Sequence, residues 1–195
     1  MSSCCITKFA SYKNNTLTVD GIVEVEACSD FNAIYEQWNL NYPKFFKMDN
    51  LSKLVLLTCE KLLEGNEAMA AVPAFKKGLV FSTADGSLDT DERYLQSTET
   101  APSPALFVYT LPNIAVGELS IRHGLKGETV TFMVDTWQPE MLAAHVQSLF
   151  DEGRVEACVA GWANFYGENA EAFFYLAQQT NNGLPHSTKN IQSIY

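Results

Sequence analysis

The run TVTFMV (129–134) passes, across only Asp135-Thr136, into a stretch with helical spacing that extends from Trp137 to Glu152. β-Branched and aromatic residues in a short unbroken run suit a buried strand. Apolar residues three and four apart suit a helix with one buried face. In the second stretch Met141, Leu142, Ala144, His145, Leu149 and Phe150 form the predicted inward face, and Gly153 ends it. A strand that turns at once into a helix needs a crossover to regain its sheet, so the chain is read as α/β.

The remaining segments extend this pattern. Residues 4–9 and 17–19 predict two strands joined through Tyr12-Lys13-Asn14-Asn15, and residues 22–27 a further edge strand. Residues 31–50 read as aromatic and irregular, extended at Tyr42-Pro43. Residues 50–64 place Leu51, Leu54, Val55, Leu57, Thr58 and Leu62 on one helical face, which Gly65 stops. GLVFSTA (78–84) has room only for a buried strand. A polar helix over 89–97 is broken by Pro102 and Pro104, and residues 105–109 are apolar again. Residues 113–123 predict a helix ended by Gly124, TVTFMV a central strand, and residues 156–160 and 172–177 two more strands. The alternation predicts a mixed, mostly parallel sheet of about five strands with helices on both faces. Its crossovers are right-handed and its last strand is antiparallel. With 195 residues, one domain is expected over 1–180, followed by a polar, loosely held tail over 181–195.

Composition narrows the partners. Lys and Arg number 13 against 23 Asp and Glu, a formal charge of −10, so the cationic footprint for nucleic acid or an anionic membrane is lacking. Charged residues make up 18%, low for a soluble domain, which predicts a surface partly covered by another chain. The five cysteines (4, 5, 28, 59, 158) form no framework and read as reduced. MSSCCITKF does not look like a secretory leader, and no apolar run is long enough to span a membrane, so the expected location is cytoplasmic.

Candidate chemistry is sparse. His123 stands at a helix end, His145 in the amphipathic helix and His186 in the tail, and no histidine or cysteine spacing suits a metal. No cofactor is predicted. Ser82, Thr83, Asp85, Gly86 and Ser87 follow a strand, as a structural turn or as a ligand loop. Asp89, Asp91 and Glu92 could coordinate a cation, though a solvated first helical turn explains them more cheaply. The junction before the long helix stands at a positive helix end, where a nucleophile or anion is stabilised, and it offers Asp135, Thr136 and Gln138. Asp135 or Thr136 equally serves as N-cap, with Pro139 in the first turn.

Taken in order, four stretches resemble the N-terminal half of the β-ketoacyl synthases, in the thiolase-like superfamily. FFKMDNLSKLVLLTCEKLL (45–63) is similar to the family's entry into its early helix, and GLVFSTADGSLDTDERYL (78–95) to its strand and Gly-rich turn. LFVYTLPNIAVGELSIRHGLKGETVTFMVDT (106–136) carries the strongest likeness, through Pro112-Asn113, Gly117, Ile121 to Gly124 and Lys126-Gly127. VEACVAGWANFY (155–166) resembles the family's Ala-Gly-Gly strand, with Trp162 at the second glycine. The resemblance implies a three-layer, thiolase-like single lobe.

It also locates the departures. The family's nucleophilic Cys falls on Thr136 when its spacing is carried forward from Gly127 or back from Gly161, and on Gln138 when the local text is matched. Neither side chain replaces a low-pKa thiolate. The family's decarboxylating histidines belong to a second half that this sequence does not contain. The resemblance therefore implies a pseudoenzyme-type, non-catalytic subunit of fatty-acid or polyketide-type chain synthesis, of the kind a chain-length factor represents. An acyl-thioester decarboxylase or thioesterase, or a degenerate interaction module, is the alternative. It further implies a homodimer, or a heterodimer with a full-length ketosynthase, through the strand at 129–134. Phe132, Met133, Asp135, Trp137, Pro112 and Asn113 would line the pocket or interface. Contact with an acidic acyl carrier protein would be indirect, given the chain's own negative charge.

Overall fold

The computed structural model describes residues 3–195. Strands β1 (Cys4–Lys13), β2 (Thr16–Val19) and β3 (Ile22–Val25) open the chain as a meander. Helix α1 (Phe31–Gln37) follows, then a 3-10 turn at Pro43–Lys47, α2 (Asn50–Leu63) and α3 (Glu67–Ala71). Strand β4 (Lys77–Thr83) leads to α4 (Leu88–Ser97), α5 (Pro104–Val108) and α6 (Ile114–His123). Strand β5 (Thr129–Met133) and α7 (Pro139–Asp151) precede β6 (Ala157–Tyr166) and β7 (Asn169–Gln179). The described chain closes with β8 (Leu184–Pro185) and α8 (Thr188–Ile194).

All strands join one eight-stranded sheet in the order β3-β2-β1-β7-β6-β4-β5, with β8 beside β1. The sheet is not mostly parallel and not of about five strands. Among the described residues only β4–β5 and β4–β6 pair parallel; the other pairings are antiparallel. The reason is the place of one strand. β1, β4, β5 and β6 run the same way, but β7 runs against them and lies between β1 and β6, so its single reversal creates two antiparallel seams. The β1–β2–β3 meander adds two more, since tight turns join only antiparallel neighbours, and β8 adds the last beside β1. β5, expected as a central strand, lies at the sheet's end and among the described residues pairs only with β4. A β-branched run signals burial on a pleated surface, not the number of neighbours.

Helices cover both faces. Alternate residues of β4, β6 and β7 (Leu79, Phe81, Val159, Phe174, Leu176) pack with α2 and α6 through Leu54, Val55, Val116 and Leu119. The intervening set (Val80, Cys158, Ala160, Phe173, Tyr175) packs with α7 through Leu142, Val146 and Leu149 and with Ile191 of α8. In α7 the buried positions are Pro139, Leu142, Ala143, Val146, Leu149 and Phe150. Ala144, expected inward, is exposed and His145 half-buried, because the face follows the 3.6-residue period from Leu142. The outer side of α7 carries Glu140, Ala144 and Asp151 rather than an apolar stripe.

Two segments hold structure that composition concealed. α1, inside the stretch expected as irregular, is capped by Asp30, whose carboxylate accepts from Asn32 N, and it buries Phe31, Ile34 and Tyr35. Residues 181–195, expected as a loose tail, contribute β8 and α8, with Ser187 as cap and Ile191 fully buried.

Candidate functional site

Because β1, β4, β5 and β6 run in one direction, their C-terminal ends open on one edge of the sheet. In α/β folds ligands gather along that edge. Here it carries Asn14 and Asn15 after β1, Ala84-Asp85-Gly86 after β4 and Asp135-Thr136 after β5. The turn between β6 and β7 completes it. The side chain of Asn164 ties the edge together. Its Oδ1 accepts from Thr83 Oγ1 at 3.0 Å, Ala84 N at 3.0 Å and Asp85 N at 2.9 Å, and its Nδ2 donates to Asp85 Oδ2. The 82–87 segment is therefore held as a structured turn by an amide from the neighbouring strand β6. Asp89 accepts from Gly167 N, and Tyr166 donates its hydroxyl proton to Glu92, so the acidic start of α4 holds the β6–β7 turn.

Gly86 has φ +56°, and a Cβ there would lie 2.9 Å from Met133 Cε and 3.1 Å from Pro112 Cγ. Pro112 and Met133, both expected at a pocket or interface, thus meet over one glycine beside the outer edge of β5. Met133 is 56% exposed, and Phe107, Val108 and Leu111 are exposed large apolar residues of the α5 region. Asn113 is the N-cap of α6, exposed and without a side-chain cap bond. Phe132 points to the other face, half-buried, with its ring edge-on to His145 at 5.2 Å.

The helix that follows β5 starts two residues later than expected. Gln138 is the N-cap and Pro139 takes the first position, so neither Asp135 nor Thr136 caps it, and the Gln138 side chain makes no cap bond. Asp135 and Thr136 are exposed, and among the described residues Thr136 Oγ1 has no hydrogen-bond partner. Trp137 turns inward, its ring edge-on to Phe173 at 5.5 Å and stacked on Tyr195 at 4.8 Å.

No base stands at Thr136 among the described residues. His145 packs on Phe132, His123 Nε2 lies 3.1 Å from Glu60 Oε2, and His186 contacts Tyr175 and Gln147. The cysteines are free, and burial pushes the Cys4 thiol up to about 12 and raises those of Cys59 and Cys158. A polar cleft of about 360 Å³ does open on this edge, between Lys13, Asn15, Asp85, Asn164, Glu168 and Glu171. Among the described residues no group of three or more His, Cys, Asp or Glu is placed to hold a metal ion, and no helix is long and apolar enough to cross a membrane. Asn164 was missed from sequence because an amide in a strand carries no signal of the loop it will bind. Tyr195 was missed because the segment around it is polar.

No protein-family model matches the chain, and no curated protein matches it in sequence. Solved structures do. A chain of the ishigamide ketosynthase/chain length factor superposes with a TM-score of 0.67 at 21% identity, covering 91% of this chain and 62% of that one. A chain of the type II polyketide-synthase acyl-carrier protein in complex with its ketosynthase bound to the hexaketide (AntDE:AntF) gives 0.70 at 12%, covering 92% and 63%. The fold is that of the ketosynthases. The chain spans less than two thirds of the length of those two ketosynthase-fold chains. A third match covers 100% of this chain and 90% of the other, with a TM-score of 0.63 at 15% identity. It comes from the ketosynthase ApeO in complex with its chain length factor ApeC from Xenorhabdus doucetiae.

Proposed function

We propose that the chain is a non-catalytic, ketosynthase-like subunit of an acyl-chain-building assembly, acting as a chain-length-factor-type partner of a ketosynthase. The observation that carries this reading is the head of α7. The position that the family resemblance assigns to the nucleophile holds an exposed Thr136 with no hydrogen-bonded base, and Gln138 beside it is equally unable to take an acyl group. The partner docks along β5, whose outer edge pairs with no strand among the described residues and whose flank carries Met133, Leu111, Phe107 and Val108. Support comes from the ketosynthase–chain length factor complex among the structural matches and from the exposed apolar residues that flank β5.

The test is reconstitution. Incubated with malonyl- and acyl-loaded carrier protein, the purified chain keeps its unmodified intact mass, and mixed with a ketosynthase from the same genomic neighbourhood it elutes as a one-to-one complex. A covalent acyl adduct on the chain would overturn the non-catalytic reading. Separate elution from that ketosynthase would overturn the proposed partner.

A further inference from the structure

We propose that residues 184–195 form a strap that acid releases from the α7–β7 face, with His186 as its sensor. The strap is attached at three places. β8 pairs with β1 at Cys5 and Ile6, Ile191 is buried against the α7 side of the sheet, and the Tyr195 ring covers Trp137 and Phe173. Gln192 Nε2 also donates to Glu140 Oε1 in the first turn of α7.

His186 sits where the strap meets the body, and its surroundings accept only the neutral ring. Gln147 Nε2 donates to Asp151 Oδ1 at 2.8 Å, which turns Gln147 Oε1 toward His186 Nδ1, 3.3 Å away. Nδ1 therefore carries the proton. Nε2 is left as the acceptor for the Tyr175 hydroxyl at 3.2 Å, and Tyr175 is fully buried with no other hydrogen-bond partner among the described residues. Protonation puts a second N–H against that hydroxyl and leaves a buried phenol proton without an acceptor. The other ionisable groups facing the ring are the Cys4 thiol of β1, whose carbonyl accepts from His186 N, and the Asp151 carboxylate of α7, which is exposed and already bonded to Gln147. Burial holds the imidazole down at about 4.

The sign follows. A base whose folded pKa is depressed opposes folding once the pH falls below its ordinary value of about 6.5. Strap closure is therefore intact at neutral pH and weakens as the pH falls from there toward 4. Release uncovers Trp137 and Phe173 beside positions 136–138.

Hydrogen–deuterium exchange at pH 7 and pH 5, corrected for intrinsic rates, tests this. Opening of the 184–195 segment should rise on the order of 30-fold at pH 5 if the released ring regains its ordinary pKa, while β6 and β7 stay protected. His186→Gln, which offers both an acceptor and a donor without titrating, should show no such rise. Gln147→Glu, which pairs the imidazolium with a carboxylate, should move the release to lower pH. Strap exchange that changes only together with β6 and β7, or an unchanged pH response in His186→Gln, would overturn the proposal.

Discussion

Phe81 and Phe174 stand in one row of the sheet with a strand between them, yet their rings lie 6.2 Å apart and within 9° of parallel. The residue between them is Gly161 of β6, paired to Phe81 on one side and to Phe174 on the other. With no side chain there, the two rings lean together and close the core beneath α2 and α6. A Cβ at this position would overlap the Phe173 carbonyl and come within 2.5 Å of Phe174 Cδ1. Gly161→Ala is therefore expected to destabilise the fold by about 3 kcal/mol or more, as overpacking against a rigid strand, or to prevent soluble expression. Urea unfolding followed by far-UV circular dichroism measures it, and wild-type stability in the variant would refute the packing account.

Glycine in an apolar strand was visible as a motif; the ring stack that explains it was not. The same division holds elsewhere. α2, α6 and α7 could be read from sequence because each carries apolar residues at helical spacing over enough turns, and each is followed within a residue or two by a glycine or a turn. α1 offered the same signals, Asp30 before Phe31, Ile34 and Tyr35, but over a single apolar face too short to stand out among Trp38, Tyr42 and Phe45-Phe46. α8 has only Ile191, Ile194 and Tyr195 at the right spacing, and its burial depends on a socket made by Trp137 and Phe173, far away in sequence. The insertion of β7 between β1 and β6 is a tertiary choice that no local pattern records. At the site, the junction after β5 was identified from its strand-to-helix pattern, whereas the meeting of Pro112 and Met133 over Gly86 depends on the β4–β5 register.

Glu118 is a buried carboxylate in α6 that joins three segments. Lys44 Nζ lies 2.7 Å from its Oε1, Tyr109 donates its hydroxyl proton to Oε1 at 3.1 Å, and Tyr42 donates to Oε2 at 3.3 Å. Burial raises the Tyr109 phenol, and the neighbouring carboxylate raises it further, so both hydroxyls remain donors at neutral pH. Glu118→Ala leaves two phenol groups without their acceptor and is expected to cost about 2–4 kcal/mol. Glu118→Gln keeps an acceptor of the same shape and should cost less. Chemical denaturation of the two variants side by side checks the order. If they are equal, the acceptor is not what matters.

Glu60 predicts an acid limb in the stability profile. Its burial favours the neutral form, but the contacts of His123 and Arg122 prevail and hold the carboxyl down at about 2. Arg122 grips both oxygens, through Nη2 at 2.6 Å and Nε at 3.1 Å, and also stacks on Tyr42. A carboxylate depressed in the folded state contributes stability above its ordinary pKa, and that contribution disappears as the pH falls toward 2. The Glu60 side chain is 15% exposed, so solvent screening is modest, and a loss on the order of 2–3 kcal/mol is expected between pH 5 and pH 2. Glu60→Gln should be less stable at pH 7 and show a flatter decline below pH 5. Melting temperatures across that range decide it, and parallel profiles for the two proteins would contradict the assignment.

The two sides of β5 should answer differently to charge. Met133 stands on the exposed side, touching the Gly86–Pro112 corner, while Phe132 packs inward on His145 and the α7 layer. Register makes the distinction sharp, since adjacent residues in a strand face opposite ways. If β5 is the docking edge, Met133→Glu should leave the circular dichroism and unfolding midpoint nearly unchanged, because it removes little buried surface from the isolated chain. It should weaken association at least tenfold, by placing an unpaired charge in the joint. Phe132→Asp should instead unfold or aggregate the chain, since a carboxylate would replace a half-buried ring packed on the α7 layer. Light scattering against concentration, with and without a ketosynthase partner, reads the first effect, and denaturation reads the second. A Met133→Glu chain that associates as wild type does would remove β5 from the interface. The apolar residues of the α5 region, Phe107, Val108 and Leu111, would then be the surface to substitute next.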